Sequence, residues 1–247
     1  MVKRRNPLPS IFPLWFQERA EVDNHRLYEF MAHTSQLLSG SDWVLDAGAG
    51  EGKYKEDFAH TRYVGVDLGV GDTQWDYSGL DVISTLEALG FADAVFDAVL
   101  CTQVLEHVPE PHVVLEELWR VLRSGGQLFL SAPQSWHQHQ KPHDYYRYTS
   151  FGLRYLLERS GFEVLSIDNM GGYFWFLSFQ LQMINYWAFP KGERGRLLTL
   201  PFRALFGFFF QLICPLVLFY LDRFDRIKDE TFGYVCVARK PIVKSEG

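Results

Sequence analysis

Short apolar runs that alternate with helical segments are the feature that most constrains the fold of this chain. They recur between residues 43 and 167, and the predicted strands are 43–46, 62–67, 80–83, 96–101, 127–131 and 162–167. Strands that alternate with helices predict a parallel sheet with helices on both faces, because apolar strands need cover on each side. Ligands of such sheets bind beyond the carboxyl ends of the strands, so the residues after each strand are the first to examine for function.

Helical spacing of apolar residues predicts the segments that cover the sheet. The predicted helices are 21–38, 113–122 and 150–160, and a further helix is expected after the glycine-rich turn at 48–52. Gly125 and Gly126 are expected to cap the helix that contains 113–122, and Thr149 or Ser150 to cap the next one. An alternating segment at 231–239 predicts a last strand.

This order of elements predicts three parts of the chain. Residues 1–40 form an N-terminal arm and helix, 41–172 and 230–240 form the main α/β domain, and 173–229 form a hydrophobic helical insertion. The length of 247 residues suits one such domain with an elaboration.

Composition excludes several classes of protein. The net charge of −6 opposes binding of duplex DNA, because counterion release needs clustered basic side chains, and no nucleic-acid partner is expected. The three cysteines are far apart and no Cys/His group has the spacing of zinc ligands, so neither a disulfide framework nor a metal is predicted. The basic start of the chain lacks the apolar run of a signal peptide, and a cytoplasmic location is expected.

A glycine turn between two acids follows the first strand. Gly48 and Gly50 allow a ligand to approach the backbone, with Asp46 before the turn and Asp67 at the end of the second strand. A dinucleotide-binding turn requires Gly or Ala where this chain has Lys53, and a pyrophosphate would be repelled by Asp46. A cationic amino-acid moiety would instead be attracted, and the carboxylate of Asp67 can accept hydrogen bonds from two ribose hydroxyls.

The stretch from 44 to 133 resembles a class I S-adenosylmethionine-dependent methyltransferase of the broad small-molecule type, with a type 11-like methyltransferase domain. The motifs that carry the resemblance are Asp46-x-Gly48-x-Gly50-x-Gly52, Val64-Gly65-Val66-Asp67, Phe91-Ala92-Asp93, Phe96-Asp97-Ala98-Val99, Val104-Leu105-Glu106-His107-Val108, Leu122-Arg123-Ser124-Gly125-Gly126 and Ser131-Ala132-Pro133. The resemblance implies a Rossmann-like doubly wound sheet of seven strands, mostly parallel, with the final strand antiparallel.

The same resemblance implies S-adenosyl-L-methionine as the cofactor and assigns the residues that hold it. Gly48 and Gly50 flank its methionine part together with Asp46, Asp67 holds the ribose and Leu68 packs on the adenine. Many relatives carry an Asp at the adenine position, where this chain has Thr85 beside Leu86. Thr102 and Gln103, after the fourth strand, line the side from which the methyl group emerges.

Candidate catalytic residues lie after the fourth and fifth strands. A polar loop rich in His and Tyr resembles a stretch found in some methyltransferases of this type, and His143 is the predicted general base, with Asp144 orienting it. His107 is a second candidate that has an equally good structural role. A metal set of His137, His139 and His143 is an alternative, and the other alternative is a packed loop with solvated histidines.

The insertion is strongly apolar. Residues 173–190 carry no charge, a basic patch of Lys191, Arg194 and Arg196 follows, and 204–221 reaches the minimum length of a membrane span. If the last strand returns to the sheet, both ends of the insertion lie on one side, so a monotopic contact of 173–221 with the cytoplasmic face of a membrane is predicted. A buried cap or a homodimer interface is the alternative.

The predicted function is methyl transfer to oxygen or carbon of a small-molecule or lipid-linked acceptor at a membrane surface. Two alternatives remain open at this stage. A membrane-associated protein that binds S-adenosylmethionine without catalysis would explain Thr85 at the adenine position. An NAD-dependent oxidoreductase is opposed by Lys53 and Asp46.

Overall fold

A seven-stranded sheet forms the centre of the protein in a computed structural model, which describes residues 15, 16, 19, 22–71, 75–187 and 199–242. The strand order is β3-β2-β1-β4-β5-β7-β6. The strands are β1 (Trp43–Ala47), β2 (Arg62–Asp67), β3 (Val82–Ile83), β4 (Phe96–Thr102), β5 (Leu122–Pro133), β6 (Glu163–Asn169) and β7 (Gly233–Arg239). The pairs β1–β2, β2–β3, β1–β4 and β4–β5 are parallel, and β7 is antiparallel to β5. The predicted fold class is therefore confirmed.

Six α-helices lie in the described residues, and three of them correspond to predicted helices at 21–38, 113–122 and 150–160. They are α1 (Val22–Leu37), α2 (Pro111–Val121), α3 (Ser150–Arg159), α4 (Tyr173–Trp187), α5 (Leu200–Gly207) and α6 (Cys214–Leu221). Of the two residues expected to cap α3, Thr149 is the N-cap, and its hydroxyl accepts a hydrogen bond from the backbone N–H of Gly152.

The main core lies around the central strands. Val99 of β4 and Leu128 of β5 are fully buried, as are Leu115 and Leu118 on the inner face of α2. Burying an aliphatic side chain of this size stabilises the fold by roughly 1.5–3 kcal/mol. The tightly packed centre fixes the carboxyl ends of β1 and β4, after which the candidate site residues follow.

Two predicted features differ in the structure. No regular helix follows the glycine turn. Residues 48–61 form successive turns, as in the bond from the N–H of Lys55 to the carbonyl of Gly52, because three glycines with positive φ interrupt helical geometry. The helix α2 ends at Val121 rather than at Gly125 and Gly126, and these glycines lie within β5, since pairing of Leu122 with Phe96 already begins the strand.

The chain divides into two compact units. The first contains Phe30–Asp168 and the last strand, and the second contains Asn169–Phe232 and the part of α1 up to Glu29. Within the second unit α4 packs against α6, with the rings of Trp175 and Phe219 stacked 5.0 Å apart. Each unit thus has packing contacts of its own.

The second unit contains a long apolar helical segment. Leu200–Phe224 includes α5, a π-helical stretch at Phe208–Ile213 and α6, and is long and apolar enough to cross a membrane by length and composition. Pro215 lacks a backbone N–H, which favours the shift in hydrogen-bond register just before it. Lys191, Arg194 and Arg196 of the predicted basic patch, and most of the N-terminal arm, lie outside the described residues.

Candidate active site

The turn after β1 is shaped by its glycines. Gly48 and Gly50 have φ values of +83° and +55°, a region that residues with a Cβ rarely adopt. The N–H of Gly48 donates to the carbonyl of Val66, which ties the turn to β2. A Cβ at Gly48 would lie 2.3 Å from Cγ2 of Val104, so only glycine fits. The turn therefore presents bare backbone at the edge of the sheet.

Asp46 is a buried carboxyl group beside this turn. Its Oδ2 accepts a hydrogen bond of 2.6 Å from the hydroxyl of Tyr63, and its Oδ1 has no hydrogen-bond partner. Burial raises the pKa of Asp46 to about 6, and the negative charge of Asp67 also raises it. The hydrogen bond from Tyr63 lowers this pKa but does not cancel the effect of burial. An unpartnered buried carboxylate oxygen is suited to an ammonium or sulfonium cation.

Asp67 links the ends of β2 and the glycine turn. Its Oδ2 accepts from the N–H of Gly50 at 2.9 Å and its Oδ1 accepts from the N–H of Gly69 at 2.8 Å. Each carboxylate oxygen keeps a further lone pair, so both ribose hydroxyls could still be bound. Leu68, which the resemblance assigns to the adenine, is half exposed.

Trp75 is a residue that the sequence analysis did not single out. Its ring lies so close to Gly50 that a Cβ there would be 3.2 Å from it. The aromatic ring covers one side of the turn. It comes from a loop between β2 and β3 that carries no helical or strand periodicity, and so no sequence signal pointed to it.

Thr85 and Leu86 follow β3. Leu86 is buried, and the hydroxyl of Thr85 hydrogen-bonds the carboxylate of Glu87. The place where many relatives carry an acid thus has a Thr with an acid two residues later. Glu87 was not among the predicted site residues.

The residues after β4 are held by β5. Gln103 has a φ of +56°, its N–H donates to the carbonyl of Ser131 and its amide Nε2 donates to the hydroxyl of Ser131 at 3.1 Å. Thr102 is the last residue of β4 and is partly exposed. The strained backbone at Gln103 is typical of a functional turn.

A short 3-10 turn at Leu105–His107 places a carboxyl group and an imidazole together. Glu106 is fully buried, and neither of its carboxylate oxygens has a hydrogen-bond partner. Burial raises its pKa to about 8. Nε2 of His107 lies 3.8 Å from Oε1 of Glu106, and the His107 ring lies 4.6 Å from that of His139. Desolvation lowers the pKa of both histidines.

His143 lies in the loop after β5, which also contains His139, and its side chain is exposed. Its carbonyl accepts a hydrogen bond of 2.5 Å from Nδ1 of His107, and its own Nδ1 is 3.4 Å from the hydroxyl of Tyr145. The expectation that Asp144 orients the His143 ring is not met. The carboxylate of Asp144 is bound by both terminal nitrogens of Arg147 and by the N–H of His139. These bonds lower its pKa to about 2.

The predicted site residues thus fall into two groups in the first unit. Those assigned to the cofactor lie at the carboxyl ends of β1, β2 and β4 or just after β1, β2, β3 and β4, and those assigned to catalysis lie in the turn after β4 and the loop after β5. Of the three histidines considered as a metal set, His139 belongs to a cluster of possible ligands among the described residues, and its companions there are Glu106 and His107. Glu106 belongs to the motif Val104-Leu105-Glu106-His107-Val108, but His139 is 33 residues further along the chain. The spacing of the sequence therefore could not show that the two residues lie close together.

Comparison with known proteins supports the identity of the domain. Residues 45–130 match the family model described as "Methyltransferase domain". The ubiquinone biosynthesis O-methyltransferase of Pseudomonas entomophila (strain L48) is 35% identical over 139 residues, which cover 51% of this chain and 53% of that protein. The chain spans about half the length of the curated relatives it matches.

Solved structures show the same fold. The 4+2 cyclase SpnF has a TM-score of 0.55 and 19% identity, and the match covers 88% of this chain and 80% of SpnF. An S-adenosylmethionine-dependent methyltransferase from Archaeoglobus fulgidus has a TM-score of 0.55 and 15% identity, covering 90% of this chain and 94% of that one. The predicted methyltransferase domain is therefore confirmed over residues 45–130, and S-adenosylmethionine is the cofactor that domains of this kind use.

Proposed function

Because this chain carries a class I S-adenosylmethionine-dependent methyltransferase domain, we propose that it transfers the methyl group of S-adenosylmethionine to an oxygen or carbon atom of a small-molecule or lipid-linked acceptor. The proposal includes a location, which is the cytoplasmic face of a membrane. The buried, unpartnered carboxylate oxygen of Asp46 beside a turn of bare backbone is the observation that carries the chemistry.

The residues of the site fit the two ends of the cofactor. Asp46 supplies a negative charge for its cationic amino-acid part, and the turn at Gly48 and Gly50 leaves room for close approach. Asp67 offers two acceptor oxygens for the ribose, and Leu68 an exposed apolar surface for the adenine. Thr85 and Leu86 follow β3 on the adenine side, and Thr102 and Gln103 line the methyl side.

The bound cofactor supplies an activated methyl group on a positively charged sulfur, so the protein's main task is placement. Holding the acceptor atom in line with that methyl group can lower the barrier by about 7–11 kcal/mol. A hydroxyl or activated carbon acceptor must also lose a proton, and a positioned base adds roughly 10²–10⁴-fold. We assign this base to His143, whose ring is exposed to solvent and open to an acceptor.

His107 and Asp144 hold the loop that presents His143. His107 binds the carbonyl of His143 through Nδ1, and Asp144 binds Arg147 and the backbone of His139. In this proposal both act as positioning residues. A loop fixed from two sides restricts where the His143 ring can go, which favours reaction at one acceptor geometry.

The membrane part of the proposal rests on the second unit. A helix of 25 residues is about 37 Å long, more than the roughly 30 Å of a bilayer's hydrocarbon core. Large apolar side chains along it are exposed, including Leu205, Phe208 and Phe209. The segment follows β6 and precedes β7, and these two strands are neighbours in the sheet, which supports a contact from one side of the membrane over a single crossing. This supports a monotopic contact, and a cap or homodimer interface is the competing explanation.

The test is incubation of the purified full chain with methyl-labelled S-adenosylmethionine and separate extracts of membrane lipids and of soluble metabolites. We expect label in the lipid extract or, for an unanchored acceptor, in the metabolite extract. Asp67→Asn is the matched control, because it keeps the shape of the side chain but removes the charge that holds the ribose. Cofactor binding with no label in either extract would contradict the proposal and favour a protein that binds without catalysis.

A further inference from the structure

A cluster of three side chains after β4 and β5 has the donor atoms of a metal site. The ligand atoms of Glu106, His107 and His139 all lie within 4.8 Å of one another. They come from two segments separated by the whole of α2 and β5, so the fold rather than local sequence brings them together. We propose that Glu106, His107 and His139 bind a divalent transition-metal ion such as Zn²⁺, through residues other than those assigned to S-adenosylmethionine.

The strongest support is the state of the buried ligand atoms. Glu106 is fully buried, and neither carboxylate oxygen has a hydrogen-bond partner. Nε2 of His107 is also buried without one and lies 3.8 Å from Oε1 of Glu106. Leaving buried polar atoms unsatisfied costs about 1–3 kcal/mol for each group. A cation between them would satisfy all three atoms at once.

The hydrogen bonds of the two imidazoles also support a metal site. Nδ1 of His107 donates to the carbonyl of His143, and Nδ1 of His139 faces the carbonyl of His137 at 3.2 Å. A carbonyl can only accept, so each bond places the proton on Nδ1 and leaves the lone pair on Nε2. Bonds of this kind from a ligating histidine to a carbonyl fix the ring and its tautomer in known metal sites.

The donor set determines which ions fit. Two imidazoles and one carboxylate are the protein ligands of several catalytic zinc sites, and such a site keeps a position for water or another ligand. Mg²⁺ prefers oxygen donors alone and should bind weakly here. Zn–N and Zn–O distances near 2.0–2.2 Å require the three ligand atoms to move closer by small side-chain rotations, and the His139 side chain lies in a loop and is a quarter exposed.

The experiment measures metal binding directly. Full-length protein stripped with a chelator is titrated with ZnCl₂ by calorimetry, and Co²⁺ in a parallel sample reports the ligand field by visible absorption. We expect one Zn²⁺ per chain, and we expect Glu106→Gln and His139→Ala to weaken its binding by at least about 100-fold. His137→Ala is the matched control, since it lies in the same loop but its ring stacks on Trp136.

Binding of S-adenosylmethionine by each variant shows whether the variant is folded. His139→Ala changes a partly exposed side chain, so it tests the site even if Glu106→Gln does not fold. Zn²⁺ affinity that is equal in wild type and His139→Ala would overturn the proposal, as would a folded wild type that binds no Zn²⁺. Because metal binding and methyl transfer are measured separately, failure of one proposal leaves the other open.

Discussion

Asp46 combines complete burial with the negative charge that we propose attracts the cofactor. Burial holds its pKa at about 6, above the ordinary value of 3.8. A raised folded-state pKa means that the folded protein binds this proton more tightly than the unfolded chain does. The contribution of Asp46 to the free energy of unfolding therefore falls as the pH rises from about 3.8 to 6, by about 3 kcal/mol in total, and is constant outside that window.

The affinity for S-adenosylmethionine should change with pH in the opposite direction. Only the ionised form of Asp46 attracts the cationic cofactor, so we expect the dissociation constant to rise as the pH falls below about 6, by up to tenfold per unit. Calorimetric titrations between pH 5 and 8 measure this. Asp46→Asn should bind weakly and without this dependence, whereas Tyr63→Phe, which removes a hydrogen bond to the carboxylate, should move the midpoint upward. A wild-type affinity that is flat between pH 5 and 7 would contradict the prediction.

Gly48 is predicted to tolerate no side chain. In Gly48→Ala the new Cβ would lie 2.3 Å from Val104, at a φ of +83°. We expect a loss of about 2–4 kcal/mol of unfolding free energy, from positive-φ strain and overpacking together, or loss of cofactor binding where the turn shifts instead. Denaturant unfolding and cofactor titration report the two effects. Gly90→Ala is the control, because nothing lies within 4 Å of its Cβ, and equal behaviour of the two variants would refute the argument.

At this scale, sequence predicts residues whose partners are close along the chain or at neighbouring strand ends. The turn glycines, Asp46 and Asp67 could be proposed from sequence because each lies at or just after the end of an apolar strand. The proximity of His139 to Glu106 was missed because a loop without periodicity gives no information about where its side chains go. The same reason explains why Trp75 and the pairing of Asp144 with Arg147 could not be foreseen.

Individual elements were predicted best where burial determines them. The strand at Arg62–Asp67 was placed to the residue, since its inner residues are apolar and a terminal acid marks its end. The end of α2 was placed too late, because sheet pairing of Leu122 overrides the capping preference of glycine. The prediction of a helix after the glycine turn is wrong because the three glycines there have positive φ values, which favour turns over a helix.

Asp222 is the polar centre of the second unit. Its carboxylate accepts hydrogen bonds from the N–H groups of Gly172 and Trp175 and from the ammonium of Lys228. Asp222→Asn should lower the stability of this unit by about 2–3 kcal/mol, because these bonds involve a charged group and Asp222 is buried. Limited proteolysis in the presence of detergent should detect faster cleavage in the second unit. Glu163→Gln, which removes an exposed ion pair in β6, should leave the cleavage rate unchanged.

The chain joins a methyltransferase domain to a unit with an exposed apolar helix. If that helix lies in lipid, Leu205→Glu with Phe209→Glu should reduce binding to vesicles of phosphatidylethanolamine and phosphatidylglycerol at least tenfold, as measured by flotation. Phe151→Glu is the control, since Phe151 is 83% exposed but lies in α3 of the first unit. Affinity for S-adenosylmethionine should not change in any variant. Unchanged flotation with a change from dimer to monomer would favour a homodimer interface instead.

The position of β7 has a consequence for how the protein is made. Residues 127–133 of β5 pair with residues 233–239, about 100 residues further along, and the apolar helices are translated between them. At 5–20 residues per second, a ribosome exposes one side of β5 for roughly 5–20 s before its neighbour emerges. During that time the nascent chain carries both an unpaired strand edge and an exposed apolar helix. Early binding of that helix by lipid or a chaperone would protect the unfinished sheet from aggregation.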